Sequence, residues 1–164
     1  MIKAVIYESN TGFTKRYAQA FAEKLEIPCY TIKEAAKQVE KGAEVVFFGW
    51  IYANKVKGLK KALGRWNVVC IAAVGMNIPA HTYEDLLAEK NHTSVPIFYL
   101  RGGMDITKLR GFSKLIIKML AEELEKSGKP DDAEIVNLLK HGGDFFSEAN
   151  LAELTAFTLD KIQG

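Results

Sequence analysis

The chain is 164 residues long, which suits one domain with a substantial buried core. Hydrophobic residues make up 48% and charged residues 26%, a balance that excludes a disordered chain, and the net charge of +2 gives no global reason to expect nucleic acid. Cys29 and Cys70 lie in apolar runs, and His81, His92 and His141 are far apart, so no metal-ligand spacing is present; both cysteines read as structural, and Cys70 as a buried thiol.

Residues 2–7 form an apolar, β-branched run that reads as a buried strand. It follows Met1 with no basic-then-apolar leader pattern, and no apolar stretch approaches a membrane span, so a cytoplasmic protein is expected. Ser9, Asn10, Thr11 and Gly12 break the run. A helix follows with Tyr17, Ala18, Phe21, Ala22 and Leu25 on one face, and Pro28 ends it. Residues 29–32 suit a short strand, and residues 33–41 a weak helix closed by Gly42. Residues 44–51 are apolar throughout and predict a strand, and residues 57–66 predict a helix. A further apolar strand covers 67–74, broken by Gly75, and a helix over about 80–89 is expected to start at Pro79. Residues 95–100 form the last strand, stopped by Gly102 and Gly103. Beyond it, Phe112, Leu115, Ile116, Met119, Leu120 and Leu124 make an apolar helical stripe that ends near Gly128. Pro130 and Asp131 start a shorter helix that stops at Gly142, and Ser147 can cap a last one running to about Ile162.

Strands alternate with helices, and the strands are apolar on both faces. That combination belongs to a parallel sheet covered on both sides, a doubly wound α/β fold. No linker or internal repeat appears, so one domain over 1–164 is expected.

The loop of Ser9, Asn10, Thr11, Gly12, Phe13 and Thr14 sits between the first strand and the first helix. A phosphate placed there meets unpaired backbone N–H groups and the positive end of the helix dipole. Ser9, Thr11 and Thr14 each add a hydroxyl, and Gly12 lets the backbone approach closely. The loop ends in no Gly-Lys-Ser/Thr and contains no GxGxxG, so it suits a terminal phosphate monoester better than a pyrophosphate.

The SNTGFT loop, in its place after strand one, resembles the Ser/Thr-x-Thr-Gly-x-Thr phosphate loop of flavodoxins. The resemblance implies a flavodoxin-like three-layer α/β/α sandwich with a five-stranded parallel sheet in the order 2-1-3-4-5, and FMN as cofactor. In that order ligands bind where the winding reverses, between strands one and three. The loop after strand three holds Trp50, Ile51, Tyr52, Ala53 and Asn54; in flavodoxins an aromatic from this loop packs on the flavin. Trp50 or Tyr52 can do so, though Trp50 can equally close the strand as a core residue. A ring there excludes water and disfavours negative charge on the reduced flavin. The loop after strand four holds Gly75, Met76 and Asn77, where the family lines the flavin edge with backbone N–H groups; Met76 can instead fill a gap in the core. Nanomolar FMN binding needs about 12 kcal/mol. Charge-assisted hydrogen bonds supply roughly 1.5–3 kcal/mol each, so the phosphate loop and ring burial must share the task.

Small flavodoxins usually carry an acidic face near the flavin. Here no acid lies between Glu44 and Glu84, while Lys55, Lys57, Lys60, Lys61 and Arg65 all fall in that interval. Lys108, Arg110, Lys114 and Lys118 form a second basic run. The stretch from Gly102, Gly103, Met104 and Asp105 into Phe112, Ser113, Lys114, Leu115, Ile116, Ile117, Lys118 and Met119 resembles the flavodoxin-domain, menaquinone-dependent protoporphyrinogen oxidases. The chain departs from that branch in a shorter loop after strand three and fewer aromatics before Phe112. Basic side chains beside the flavin would attract porphyrin propionates, anionic lipid headgroups or an acidic partner; they can also be a solvated helix face. Glu8 and Asp105 are the only acids near the expected crevice, and neither has the setting of a catalytic base. The expected function is that of an FMN redox protein serving a partner protein, or an FMN enzyme with a quinone acceptor. A flavin-free binding scaffold is the remaining alternative.

Overall fold

The computed structural model describes residues 1–78 and 82–163. The first apolar run becomes β1 (Ala4–Glu8), and the stripe after the glycine turn becomes α1 (Phe13–Lys24). β2 (Cys29–Thr31) leads into α2 (Ile32–Gln38) through a capping box, in which Thr31 and Glu34 satisfy each other's backbone N–H groups. β3 (Glu44–Tyr52) then doubles back as β4 (Lys55–Val56). α3 (Leu59–Leu63) is shorter than the helix expected over 57–66, because Gly58 and Gly64 bracket it. β5 (Asn67–Gly75), α4 (Tyr83–Asn91) and β6 (Ile97–Arg101) follow; the expected helix start at Pro79 lies outside the described residues. β7 (Gly103–Met104), α5 (Gly111–Ser127), α6 (Ala133–His141), β8 (Gly143–Asp144) and α7 (Ala152–Gln163) complete the chain.

The sheet runs β2-β1-β3-β5-β6 with all neighbours parallel, and β4 pairs antiparallel to the end of β3. This is the expected five-stranded order, with β5 and β6 as its fourth and fifth parallel strands. Alternation assigns the two faces. Val5, Val46, Phe48, Cys70, Ala72 and Leu100 pack against α1 through Tyr17 and Phe21, and against α7 and the turn before it through Leu154 and Leu151. Ala4, Ile6, Val45, Phe47, Ile71 and Ala73 pack against α2, α3 and α4 through Ala35, Leu59, Ala62 and Leu87. The β3–β5 register shifts between Val45 and Val46, which pair with Val68 and Cys70. That extra residue lets Val68 and Cys70 face opposite sides despite their even spacing.

α5 and α6 stand apart from these layers. They gather Met104, Leu109, Ala121 and Leu139 into a third, smaller cluster that includes Met76 and reaches the end of the sheet there. The antiparallel β7–β8 pair ties this unit down. It can do so because Gly103 has a φ of +154° and a Cβ there would lie 2.1 Å from the Gly143 carbonyl oxygen. The apolar stripe of α5 does not face the sheet. Phe112 is 76% exposed, Leu115 53%, Met119 60% and Leu120 40%. Of the expected stripe, Leu124 turns inward instead, and together with Ile117 and Ala121 on the neighbouring side of the helix it holds α5 in place.

Candidate functional site

In a doubly wound sheet, loops that follow the strands meet at the point where the winding reverses. Here that point lies between β1 and β3. The β1–α1 loop enters it first. Gly12 is the N-cap residue of α1 with a φ of 104°, and no side chain caps the helix. Ser9 Oγ accepts the Lys15 N–H at 3.3 Å, and the Gly12 carbonyl accepts the Arg16 N–H at 3.0 Å. The earlier N–H groups, of Phe13 and Thr14, have no helical carbonyl to bond and point out of the helix end. Thr14 is buried, Ser9 and Thr11 are half-buried, and Asn10 is exposed. The Phe13 ring is held beneath the glycine pair after β6: a Cβ on Gly102 would meet Phe13 Cβ at 3.2 Å, and one on Gly103 would meet Phe13 Cε1 at 3.1 Å. Phe13 therefore offers the site its backbone.

A cation from far along the chain completes this end. Lys108 lies in the short helical turn after β7, and its ammonium donates to the Thr11 carbonyl at 3.4 Å. A Cβ on Gly12 would stand 3.4 Å from Lys108 Nζ, so the missing side chain leaves the ammonium room. Asp105 Oδ2 lies 3.4 Å from the same nitrogen. Hydrogen bonds from the Thr107 hydroxyl and backbone N–H, helped by Lys108, hold the Asp105 carboxyl below the usual carboxylate range. An ionised Asp105 steadies Lys108 without burying its charge. Uncapped N–H groups, hydroxyls and a steered ammonium are the chemistry that suits a phosphate-sized anion.

The segment expected as a loop after strand three is a hairpin. β3 continues through Trp50, Ile51 and Tyr52, and a two-residue turn returns it to β4, pairing Tyr52 with Lys55. Ala53 and Asn54 both have positive φ, 48° and 60°, the geometry such tight turns require. Trp50 and Tyr52 share one face and meet edge-on at 6.1 Å, with Lys57 Nζ 5.8 and 5.9 Å from their ring centroids. Ile51 points the other way into the α2–α4 core. The turn is fastened to α4: Asn54 Oδ1 accepts from Tyr83 at 3.1 Å, and Asn91 donates to the Asn54 carbonyl at 2.9 Å. Asn91 also accepts the Val56 N–H at 2.9 Å. The hairpin thus offers two ring faces, while Asn54 is spent on anchoring.

At the end of β5, Gly75 lies against Tyr99, whose ring a Cβ would touch at 3.0 Å. The Tyr99 hydroxyl donates to the Asn77 carbonyl at 2.8 Å, and burial pushes its phenol up. The Gly75 carbonyl accepts the Gly102 N–H at 2.8 Å. Met76 turns into the α5–α6 cluster, so it fills the core as one of its two readings allowed. An open cleft adjoining this loop is lined by Asn77, Ile78 and Tyr83, with Asp85 and Glu89 on its wall. Those carboxylates make this wall electronegative, whereas the Thr11 side carries the Lys108 ammonium.

The first basic run does not form one patch. Lys55 bonds the Lys90 carbonyl, Lys57 caps the aromatic pair, and Lys60 and Lys61 are exposed on α3. Arg65 lies at the other end of the sheet, before β5, where it donates to the Ala36 carbonyl at 2.6 Å. Among the described residues no three His, Cys, Asp or Glu side chains gather as a metal site. Lys108 was visible as part of a basic run, but nothing in its neighbourhood in the sequence marked it as a partner of Thr11.

Residues 4–131 match the family model described as a flavodoxin domain. No curated protein matches the chain. Among solved structures, a flavodoxin from the domain Archaea aligns with 62% of this chain and 85% of its own, at 17% identity and a TM-score of 0.40.

Proposed function

The chain belongs to the flavodoxin-domain family, and on that premise we propose that it binds one FMN in the crevice between β1 and β3 and acts as a redox protein. FMN, when bound, supplies the electron-transfer chemistry; the chain's own residues grip, orient and shield it. The observation that carries the reading is the meeting of Lys108 with the Thr11 carbonyl beside left-handed Gly12. The hydroxyls of Ser9 and Thr11, the N–H groups of Phe13 and Thr14 and the Lys108 ammonium would hold the phosphate. Trp50 and Tyr52 offer flat faces to the ring system and keep water from it. Lys57, beside both rings, favours negative charge on whatever lies against them. The backbones of Gly75 and Asn77 border the other edge.

A second reading makes the protein an FMN enzyme of the quinone-dependent protoporphyrinogen oxidase kind. It is favoured by the α5–α6 unit, which is anchored on Met76 beside the crevice and carries Arg110 and Lys114 at its exposed start. Those cations suit a substrate bearing carboxylates. Turnover of protoporphyrinogen with a quinone and no partner protein separates this reading from electron transfer to a protein.

The test is titration of FMN fluorescence with wild type, Thr11→Val and Lys108→Met. Quenching by the wild type is expected, with affinity lower by about tenfold or more in each variant and unchanged circular dichroism. Equal affinity in all three proteins removes the phosphate assignment. No binding by the wild type leaves the flavin-free scaffold.

A further inference from the structure

Helix α5 carries two apolar faces. Ile117, Ala121 and Leu124 join the cluster with Met104, Leu109 and Leu139 and fix the helix to its own chain. Phe112, Leu115, Met119 and Leu120 lie at helical spacing on another face and are exposed. An apolar ridge of that size on a water-facing helix marks an interaction surface.

The charges beside the ridge say what kind of surface it meets. Between Asp105 and Glu122 the chain has no acid, and it carries Lys108, Arg110, Lys114 and Lys118. Lys108 is occupied at Thr11, which leaves three exposed cations flanking or interrupting the ridge. The exposed apolar residues stop at Leu120, and Glu122, Glu123 and Glu125 follow at once. Only the first half of α5 is therefore both apolar and basic. A second copy of the chain fits this half poorly. Antiparallel pairing centred on Ile116 sets Lys114 against Lys118 of the other copy, and parallel pairing sets each lysine against itself. No helix among the described residues is long and apolar enough to cross a membrane; an amphipathic helix with exposed apolar and basic residues suits a place in the membrane interface.

We propose that the N-terminal half of α5 docks on an anionic lipid bilayer. Phe112, Leu115 and Met119 enter the boundary between headgroups and acyl chains. Arg110, Lys114 and Lys118 stretch their long stems to the negative headgroups. The proposal does not depend on whether a flavin is bound.

Vesicle flotation of the full chain tests it. The wild type floats with vesicles of phosphatidylcholine containing phosphatidylserine at about a quarter, and not with phosphatidylcholine alone; high salt releases it. The triple variant Phe112→Ser, Leu115→Ser, Met119→Ser and the double variant Lys114→Gln, Lys118→Gln each lose binding by about tenfold or more. These side chains are exposed, and an unchanged thermal melt confirms that the variants fold. Absence of wild-type binding to anionic vesicles overturns the proposal, as does equal binding by the triple variant. A concentration-dependent dimer that the triple variant abolishes, without vesicle binding, also overturns it and assigns the face to a second copy.

Discussion

Helices α1 and α5 both carry an apolar stripe at helical spacing, and their starts are joined by the contact of Lys108 with Thr11, yet they bury their stripes in opposite ways. In α1, Tyr17, Ala18 and Phe21 are fully buried against the sheet, and the Tyr17 hydroxyl donates to the Arg101 carbonyl at 2.7 Å. Asn150 donates back to that hydroxyl at 2.7 Å, so α1 is locked to the end of β6 and to the approach to α7. In α5, Phe112, Leu115, Met119 and Leu120 of the equivalent stripe face outward, and the helix is held by a small cluster that takes in Leu124 at the stripe's end. A stripe tells that a helix needs an apolar neighbour. It does not tell whether the neighbour belongs to the same chain.

The largest difference is expected in stability. Phe21→Ala empties a fully buried site among Phe48, Tyr17 and Val46 and should cost about 3–5 kcal/mol in urea unfolding. A cost near zero would mean that α1 is not the rigid wall of the site. A middle-sized effect comes from the same closed region at alkaline pH. Burial pushes the Cys70 thiol up to about 12, from an ordinary value of 9.0. The native state therefore keeps a proton that the unfolded chain releases as pH rises past that ordinary value. Stability is full below pH 9.0 and declines above it, by about 1 kcal/mol near pH 10 for this one thiol. Unfolding of wild type and Cys70→Ala at pH 8 and pH 10 checks it, since the variant should lack this share of the alkaline loss. The smallest effect belongs to α5. Phe112→Ser should change unfolding stability by no more than about 0.5 kcal/mol. A loss as large as that of Phe21→Ala would show that the exposed stripe is covered by the chain itself and would end the contrast.

What could be read in the sequence follows from the same physics. The strands β1, β3, β5 and β6 were legible because both their faces are covered, and an unbroken apolar run is the mark of that. The β1–α1 turn was legible because Ser9, Asn10, Thr11 and Gly12 interrupt the apolar run between strand and helix. The bulge opposite Val45 and Val46 leaves no trace in a run of valines. The β3–β4 hairpin was hidden because Ala53 takes a positive φ that alanine rarely adopts, and only Asn54 hinted at a turn. Lys108 was hidden for a simpler reason. It meets Thr11 across 97 residues of sequence, by way of a β7–β8 pairing that depends on Gly103. Periodicity found the helix at α5 and could not say which side of it the protein would keep.

The central claim is that the β1–α1 loop, with Lys108, holds a phosphate and not merely a flat ring. Its most direct test is to titrate the wild-type protein with FMN and with riboflavin, which shares the ring and lacks the phosphate. The account predicts that FMN binds about a hundredfold tighter or more, the worth of two charge-assisted hydrogen bonds. Equal affinities for the two would contradict it, because the loop and its lysine would then be spectators to a site that recognises the ring alone.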